Sequence, residues 1–288
     1  MSIHIPVLLE PILEKLEIQA GQTIVDGTFG GGGHSKVFSE TVGPSGRIIG
    51  FDRDPLAIEA AESWAPENMT LLAHNYADMP EVLSQLDIEA VDAILLDLGL
   101  SSDQLGDHDR GFSFHAKGPL DLRFNQEAGE PAYRLVNRLG EKHLADLIYE
   151  FGEERFSRRI ARKIVKVRHD SPIKTASELA DLVRSCVPRS KGHSIDPATR
   201  TFQALRIGVN EELKWLKVAL KRLPQILKPG GKLAIISFHS LEDRMVKNAF
   251  DEHELLTVPK RKPIVADDIE KDANPRSRSA KLRVGVRV

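Results

Sequence analysis

Nine consecutive residues, Asp26-Gly27-Thr28-Phe29-Gly30-Gly31-Gly32-Gly33-His34, join a carboxylate, a run of glycines and a histidine at a spacing suited to ligand capture. Glycines turn tightly and bring backbone close to a ligand with no Cβ in the way, and the N–H groups of a following helix start point into the turn. Two further acids hold similar places. Asp52 closes the apolar run that begins at Arg47, twenty positions after Gly32, and Asp97 closes Val91 to Leu96 and opens Asp97-Leu98-Gly99-Leu100-Ser101-Ser102. A carboxylate about 20 residues beyond such glycines is the expected partner of ribose hydroxyls, so Asp52 takes that role. Together these residues make a nucleotide cradle.

The spacing narrows the nucleotide. A dinucleotide fingerprint needs Gly-x-Gly-x-x-Gly, and the one register that ends on Gly32 has Phe29 where the second glycine belongs. No Gly-x-x-x-x-Gly-Lys-Ser/Thr stretch occurs either. A carboxylate beside a pyrophosphate repels it, whereas Asp26 suits a cationic methionine group. The cradle therefore favours S-adenosylmethionine.

The elements that must position these residues follow from periodicity. Thr23-Ile24-Val25 reads as a strand and Ser35 to Glu40 as a helix start; Arg47 to Asp52 is a second strand, and Asp54-Pro55 supplies an N-cap and N1 proline for a helix over Leu56 to Trp64. Met69 to Ala73 leads to Tyr76, which either flanks an adenine ring or belongs to the core. Val91 to Leu96 is almost continuously apolar, as a strand covered on both faces should be. A fifth strand, Lys232 to Phe238, follows the tight turn Lys228-Pro229-Gly230-Gly231, yet begins about 130 residues after the fourth. Ordinary βα units need far less. The expected architecture is thus α/β, a Rossmann-like sheet domain formed by residues 1–105 and 211–288, with a mainly helical substrate-recognition domain, 106–210, inserted in it. A helix over Glu211 to Leu227 returns the chain to the sheet.

The 288 residues, 41% apolar and 28% charged, suit two soluble globular domains. No apolar run reaches the ~18 residues needed to span a bilayer, and the first residues, with His4 and Glu10 among them, lack the features of a signal peptide. One cysteine, Cys186, permits no internal disulfide and fits a reducing cytoplasm; between Val183 and Val187 it reads as a small buried residue. Ten histidines show no metal-ligand spacing, and no metal is assigned.

Net charge is −2, but it is segregated: Arg155 to Arg206 holds 13 Lys and Arg against 4 acids, and Pro259 to Val288 holds 9 against 4. Within the first block, Arg155, Arg159, Arg162 and Lys166 fall on one side of a helix while Phe156, Ile160, Ile164 and Val167 fall on another. That ridge is either a solvated helix face or a phosphate track; two basic blocks in an otherwise acidic chain favour a polyanionic substrate. Arg276-Ser277-Arg278-Ser279 is expected to add flexible basic contacts.

Several motifs together resemble one family. They are Asp-Gly-Thr-Phe-Gly at 26–30 with Gly-Gly-His at 32–34, Asp-Arg-Asp-Pro at 52–55, Leu-Leu-Asp-Leu-Gly-Leu-Ser-Ser at 95–102, Arg-Gly-Phe-Ser-Phe at 110–114 and Gly-Pro-Leu-Asp at 118–121. Gly-Glu-Glu-Arg-Phe at 152–156, Pro-Ala-Thr-Arg-Thr-Phe-Gln-Ala at 197–204, Ser-Phe-His-Ser-Leu-Glu-Asp-Arg at 237–244 and Asn-Pro-Arg-Ser-Arg-Ser at 274–279 complete the set. The chain resembles the bacterial ribosomal RNA small subunit methyltransferase H (RsmH/MraW) family over nearly its whole length. The resemblance implies a class I S-adenosylmethionine-dependent methyltransferase that methylates the exocyclic N4 of a cytidine in the decoding region of 16S ribosomal RNA. It places the cofactor on Gly32, Gly33, His34, Asp52, Tyr76, Asp97 and Gln104. Gly31 stands where the family can have a basic residue and Tyr76 where it can have phenylalanine, a ring that stacks equally well. Two basic blocks favour the assembled small subunit over naked RNA as the substrate.

A cytosine N4 lone pair is delocalised into the ring, so the amine must be held and its lone pair freed. Amine methyltransferases with Asp-Pro-Pro-Tyr after the fourth strand accept its hydrogens through a side chain and a carbonyl. The equivalent Asp97-Leu98-Gly99-Leu100-Ser101-Ser102 lacks both prolines and the aromatic. Asp97 is then expected at the donor end, with loop carbonyls and Ser101 holding the amine and Phe112 or Phe114 stacking the base, unless these two aromatics are core. Most of the rate comes from in-line positioning, and no general base is assigned. His239 is a base-contacting candidate or a hydrogen-bonded structural histidine; Asn210 is a similar candidate or the N-cap of the helix beginning at Glu211. A methyltransferase acting on DNA, protein or a small molecule, and a non-catalytic RNA-binding factor, are the alternatives; the intact Gly32, Gly33, His34, Asp52 and Asp97 argue against the second.

Overall fold

A computed structural model describes residues 5–114, 118–188 and 196–288. His4, and Arg189 and Lys191 of the first basic block, lie outside the described residues. In chain order the first half forms α1 (Leu9–Leu16), β1 (Thr23–Asp26), α2 (Gly33–Val42), β2 (Arg47–Phe51), α3 (Pro55–Glu62), β3 (Met69–Leu72), α4 (Met79–Gln85), β4 (Val91–Asp97) and α5 (Ser102–Gly106). It continues through α6 (Ala132–Arg138), α7 (Glu141–Gly152), α8 (Ser157–Asp170), α9 (Ala176–Cys186), α10 (Thr199–Asn210) and α11 (Glu212–Arg222). Then come β5 (Leu227–Ser237), α12 (Ser240–Glu252), β6 (Leu256–Thr257), α13 (Asp268–Ala273) and β7 (Lys281–Arg287). Two compact units result, Met1–Ser102 with Leu213–Val288, and Asp103–Glu212.

The first unit carries a seven-stranded sheet of order β3-β2-β1-β4-β5-β7-β6. Strands β1 to β5 pair in parallel, while β7 runs antiparallel to β5 and β6. Strand side chains alternate between faces, and both faces are buried. Val25, Ile49, Ile94, Leu96 and Ile235 share one core with residues of α4, α11 and α12; Ile24, Ile48, Leu95 and Ile236 share the other with residues of α1, α2 and α3. Asp54 caps α3 as expected, its carboxylate accepting from Leu56 N at 3.2 Å, with Pro55 at the first helical position.

The return to the sheet differs from the expectation. Helix α11 ends at Arg222, because Pro224 lacks the N–H a helix interior requires, and a 3-10 turn over Leu223–Ile226 follows. The fifth strand starts at Leu227 rather than Lys232, and the Lys228–Gly231 turn is a bulge within it: Val91 pairs with Leu227 but Ala93 with Lys232. The C-terminal strands lie within the second basic block. There Lys281 and Arg283 reach Asp243 at 3.0 and 2.7 Å, and Arg283 also donates to Arg261 O. Arg276–Ser279 belongs to a 3-10 helix with Ser277 buried, a fixed turn rather than a flexible contact. Much of this block's charge is therefore internal to the fold.

The second unit is mainly helical. Helix α7 packs against α8 and α10, and α8 against α6 and α9. Thr175 and Glu178 form the reciprocal capping box at the start of α9, and Cys186 is buried at its end. No helix among the described residues is long and apolar enough to cross a membrane.

Candidate active site

The glycine turn follows β1 at the C-terminal edge of the parallel strands, where open α/β sheets take their ligands. Gly32 is the N-cap of α2 at φ 71°, with no side-chain cap, so the first N–H groups of the helix are left to a ligand. A Cβ there would stand 2.5 Å from Trp64 and 2.6 Å from Phe29. Those two rings stack at 5.9 Å, and Lys36 Nζ covers Trp64 at 3.8 Å, so an aromatic wall fixes the turn from behind. Nothing in the periodicity singled out Trp64; its signal is only a tryptophan ending a helix beside the cradle.

The three acids set the turn. Buried Asp26 accepts from Thr28 N at 3.2 Å and Ser35 Oγ at 2.7 Å, and burial pushes its carboxyl pKa up, with His34 acting in the opposite sense. Asp52 accepts from Gly30 N at 2.7 Å and Asp54 N at 2.8 Å. Burial pushes Asp52 up to about 6 against the pull of those two N–H groups. Asp97 N donates to Thr28 Oγ1 at 2.6 Å, so the loop after β4 is fastened to the glycine turn, and its Oδ1 accepts from Gly99 N at 3.2 Å. A Cβ at Gly99 would stand 2.8 Å from the Phe238 ring, so only glycine lets the two loops approach this closely. Ser101 closes the arrangement, its Cβ 3.4 Å from where a Cβ of Gly30 would be.

Other singled-out residues serve the frame. His34 is buried, its Nε2 3.0 Å from Val7 O; a carbonyl only accepts, so Nε2 bears the proton and the residue can offer a ligand its backbone N–H. Tyr76 is 8% exposed, a core residue packed beside Gly27. Gln104 is buried on α5. Asn210 is the last residue of α10 rather than an N-cap: its amide donates to Leu122 O and Arg206 O at 2.7 and 2.9 Å and its Oδ1 accepts from Phe124 N at 2.8 Å, fastening the 122–124 loop. His239 is the N-cap of α12, with Nδ1 accepting from Glu242 N and Nε2 2.9 Å from Glu242 Oε1, while Glu242 accepts from the Phe238 N–H at 2.8 Å. Phe112 stacks on Phe124 at 5.9 Å and Phe114 meets Phe202 edge-on at 5.1 Å, so both pack within the second unit. No cluster able to hold a metal occurs among the described residues.

Five parallel strands in this order with an antiparallel strand beside the last, a glycine turn after β1 and acids at the ends of β2 and β4 define, with the family match below, a Rossmann-like, class I S-adenosylmethionine-dependent methyltransferase. The family model of the MraW methylase family matches residues 1–288, and the chain belongs to that family. Two relatives are each named ribosomal RNA small subunit methyltransferase H. That of Deinococcus radiodurans is 50% identical over 285 residues, covering 99% of this chain and 89% of its own; that of Rhodopirellula baltica is 48% identical over 297 residues, covering 99% and 91%. The crystal structure of a SAM-dependent methyltransferase from Aquifex aeolicus is similar at TM-score 0.44 and 12% identity, over 98% of this chain and 90% of that one.

Proposed function

We propose that the protein transfers a methyl group from S-adenosylmethionine to the exocyclic N4 of a cytidine in the decoding region of small-subunit ribosomal RNA. Membership of the methylase family over the whole length carries this reading, together with the shared name of its relatives. The cradle fits the cofactor. The uncapped start of α2 offers its N–H groups to a backbone-bound ligand, and the buried Asp26 and half-buried Asp52 carboxylates at the ends of β1 and β2 suit its cationic sulfonium and ribose.

When bound, S-adenosylmethionine supplies an activated methyl group. Gly32, Gly33 and His34 would hold it through their backbone and Asp52 would accept from its ribose hydroxyls, with Tyr76 packed beside the glycine turn. Asp97 and the loop it opens, fastened to the glycine turn through Thr28, present carbonyls and Ser101 to the target amine. Such acceptors would take the amine's N–H bonds and leave its lone pair free. Positioning would supply most of the rate, and the proton that the methylated amine sheds would pass to solvent. His239, as the N-cap of α12, orders the turn that follows β5.

The test incubates the protein with labelled S-adenosylmethionine and either unmodified small ribosomal subunits or their extracted RNA, then identifies the labelled nucleoside by mass spectrometry. N4-methylcytidine from the subunits is the expected product. Transfer to protein, DNA or another nucleoside atom overturns the reading.

A further inference from the structure

Helix α8 carries charge in a way that works against its own fold. At 100° per residue, Arg158, Arg162, Lys166, Arg159 and Lys163 fall within an arc of roughly 140°, and they span roughly 12 Å of helix. All five are exposed, while Ser157, Ile160, Ala161 and Ile164 are buried on the opposite side. No acid occurs between Arg155 and His169. Three like-charged pairs, Arg158–Arg162, Arg159–Lys163 and Arg162–Lys166, stand at i,i+4, where like charges destabilise a helix. Arg158 and Arg159 also occupy the first turn, the positive end of the helix dipole, and that turn holds no acid; the Glu154 carboxylate before it is taken up by the Phe156 N–H at 2.8 Å.

A merely solvated face has no need of this arrangement. Elsewhere in the second unit several cations are paired, as in Arg123–Asp121, Arg184–Asp196 and Arg206–Glu212. Arg168, on the inward side of α8, donates to Val136 O at 2.5 Å. On the ridge, Arg162 meets exposed Glu141 at 3.4 Å, and among the described residues Arg158, Arg159, Lys163 and Lys166 enter no ion pair.

We infer that the outer face of α8 is a docking surface for the phosphate backbone of the RNA substrate. The inference rests on the rRNA reading above and adds where the polyanion is held. Phosphates at this ridge would relieve the repulsion that the free protein bears. A membrane is a poorer occupant, because a membrane-surface helix exposes its apolar face and α8 buries it.

The test compares the full-length protein with the charge-reversed variant Arg158→Glu/Arg159→Glu/Lys163→Glu, and with Lys260→Glu/Lys262→Glu, which reverses exposed cations of the first unit. Binding to extracted small-subunit rRNA is followed by filter retention between 50 and 200 mM salt, S-adenosylmethionine binding by calorimetry, and folding by the thermal midpoint. The α8 variant is expected to bind rRNA at least tenfold more weakly at about 150 mM salt. Its log–log salt slope should be smaller by roughly 2, at roughly 0.7 per lost phosphate contact. Its cofactor affinity should be unchanged and its midpoint equal or higher, while the Lys260/Lys262 variant keeps the wild-type slope. Unchanged rRNA affinity and slope overturn the proposal, and so does a lowered midpoint. Normal binding to rRNA with lost activity on assembled subunits also overturns it, since the ridge would then meet a protein. Absence of methyl transfer by the unaltered enzyme is a separate result that strikes the rRNA reading itself.

Discussion

Asp52 is where the chemistry of single residues is most exposed to measurement. Its carboxyl, pushed up to about 6 by burial, binds more protons in the folded ligand-free protein than in the unfolded chain between about pH 4 and 6. Ribose hydroxyls donating to it would favour the ionised form. Cofactor binding should therefore expel protons: calorimetry at pH 6 in two buffers of different ionisation enthalpy should show release of about half a proton, and affinity should rise from pH 5.5 to 7.5. A pH-independent affinity with no release would show that Asp52 does not face the ligand. Gly32→Ala tests the turn. It forces a Cβ to φ 71° and to 2.5 Å from Trp64, so cofactor affinity should fall at least tenfold, with a stability loss of about 1–3 kcal/mol by thermal unfolding. At this scale the sequence showed the acids and glycines, because each chemistry demands those residue types at those intervals. It did not show Thr28 or Trp64, whose roles exist only once β1, β4 and α3 are packed.

At the scale of elements, periodicity found β1 to β4 and α3 with its cap, since each carries its own apolar pattern and stop signal. It failed at the fifth strand and at the C-terminus. A Lys-Pro-Gly-Gly stretch has the composition of a turn whether it precedes a strand or bulges out of one, and the choice depends on the register against β4. Likewise Lys281 to Arg287 reads as basic until Asp243 is brought opposite. His239 shows how an element can claim a residue that looks chemical. As the N-cap of α12 it should be replaceable by asparagine, which offers an acceptor in the same place, with near wild-type stability and methyl-transfer rate. His239→Ala should cost about 1–2 kcal/mol in thermal stability. A large fall in kcat for His239→Asn, with the thermal midpoint kept, would instead assign the ring to the substrate.

At the scale of the molecule, net charge misleads and its distribution does not. A chain of net charge −2 should repel a polyanion on average, yet the two units treat their cations differently. Both contain paired cations, as where Lys281 and Arg283 share Asp243 and where Arg184 meets Asp196, but α8 gathers five exposed cations on one helix face. Binding to RNA should accordingly depend on local rather than net charge. Five phosphate contacts at roughly 0.7 each give a log–log salt slope of roughly −3.5 for rRNA. S-adenosylmethionine held as proposed, by backbone groups and single carboxylates, would be screened little, so its affinity should change less than about twofold over the same salt range. Both titrations on one preparation separate the possibilities. A steep slope for rRNA beside a flat one for the cofactor assigns RNA capture to surface electrostatics, whereas two flat curves would mean that shape and direct contacts, not α8, hold the RNA.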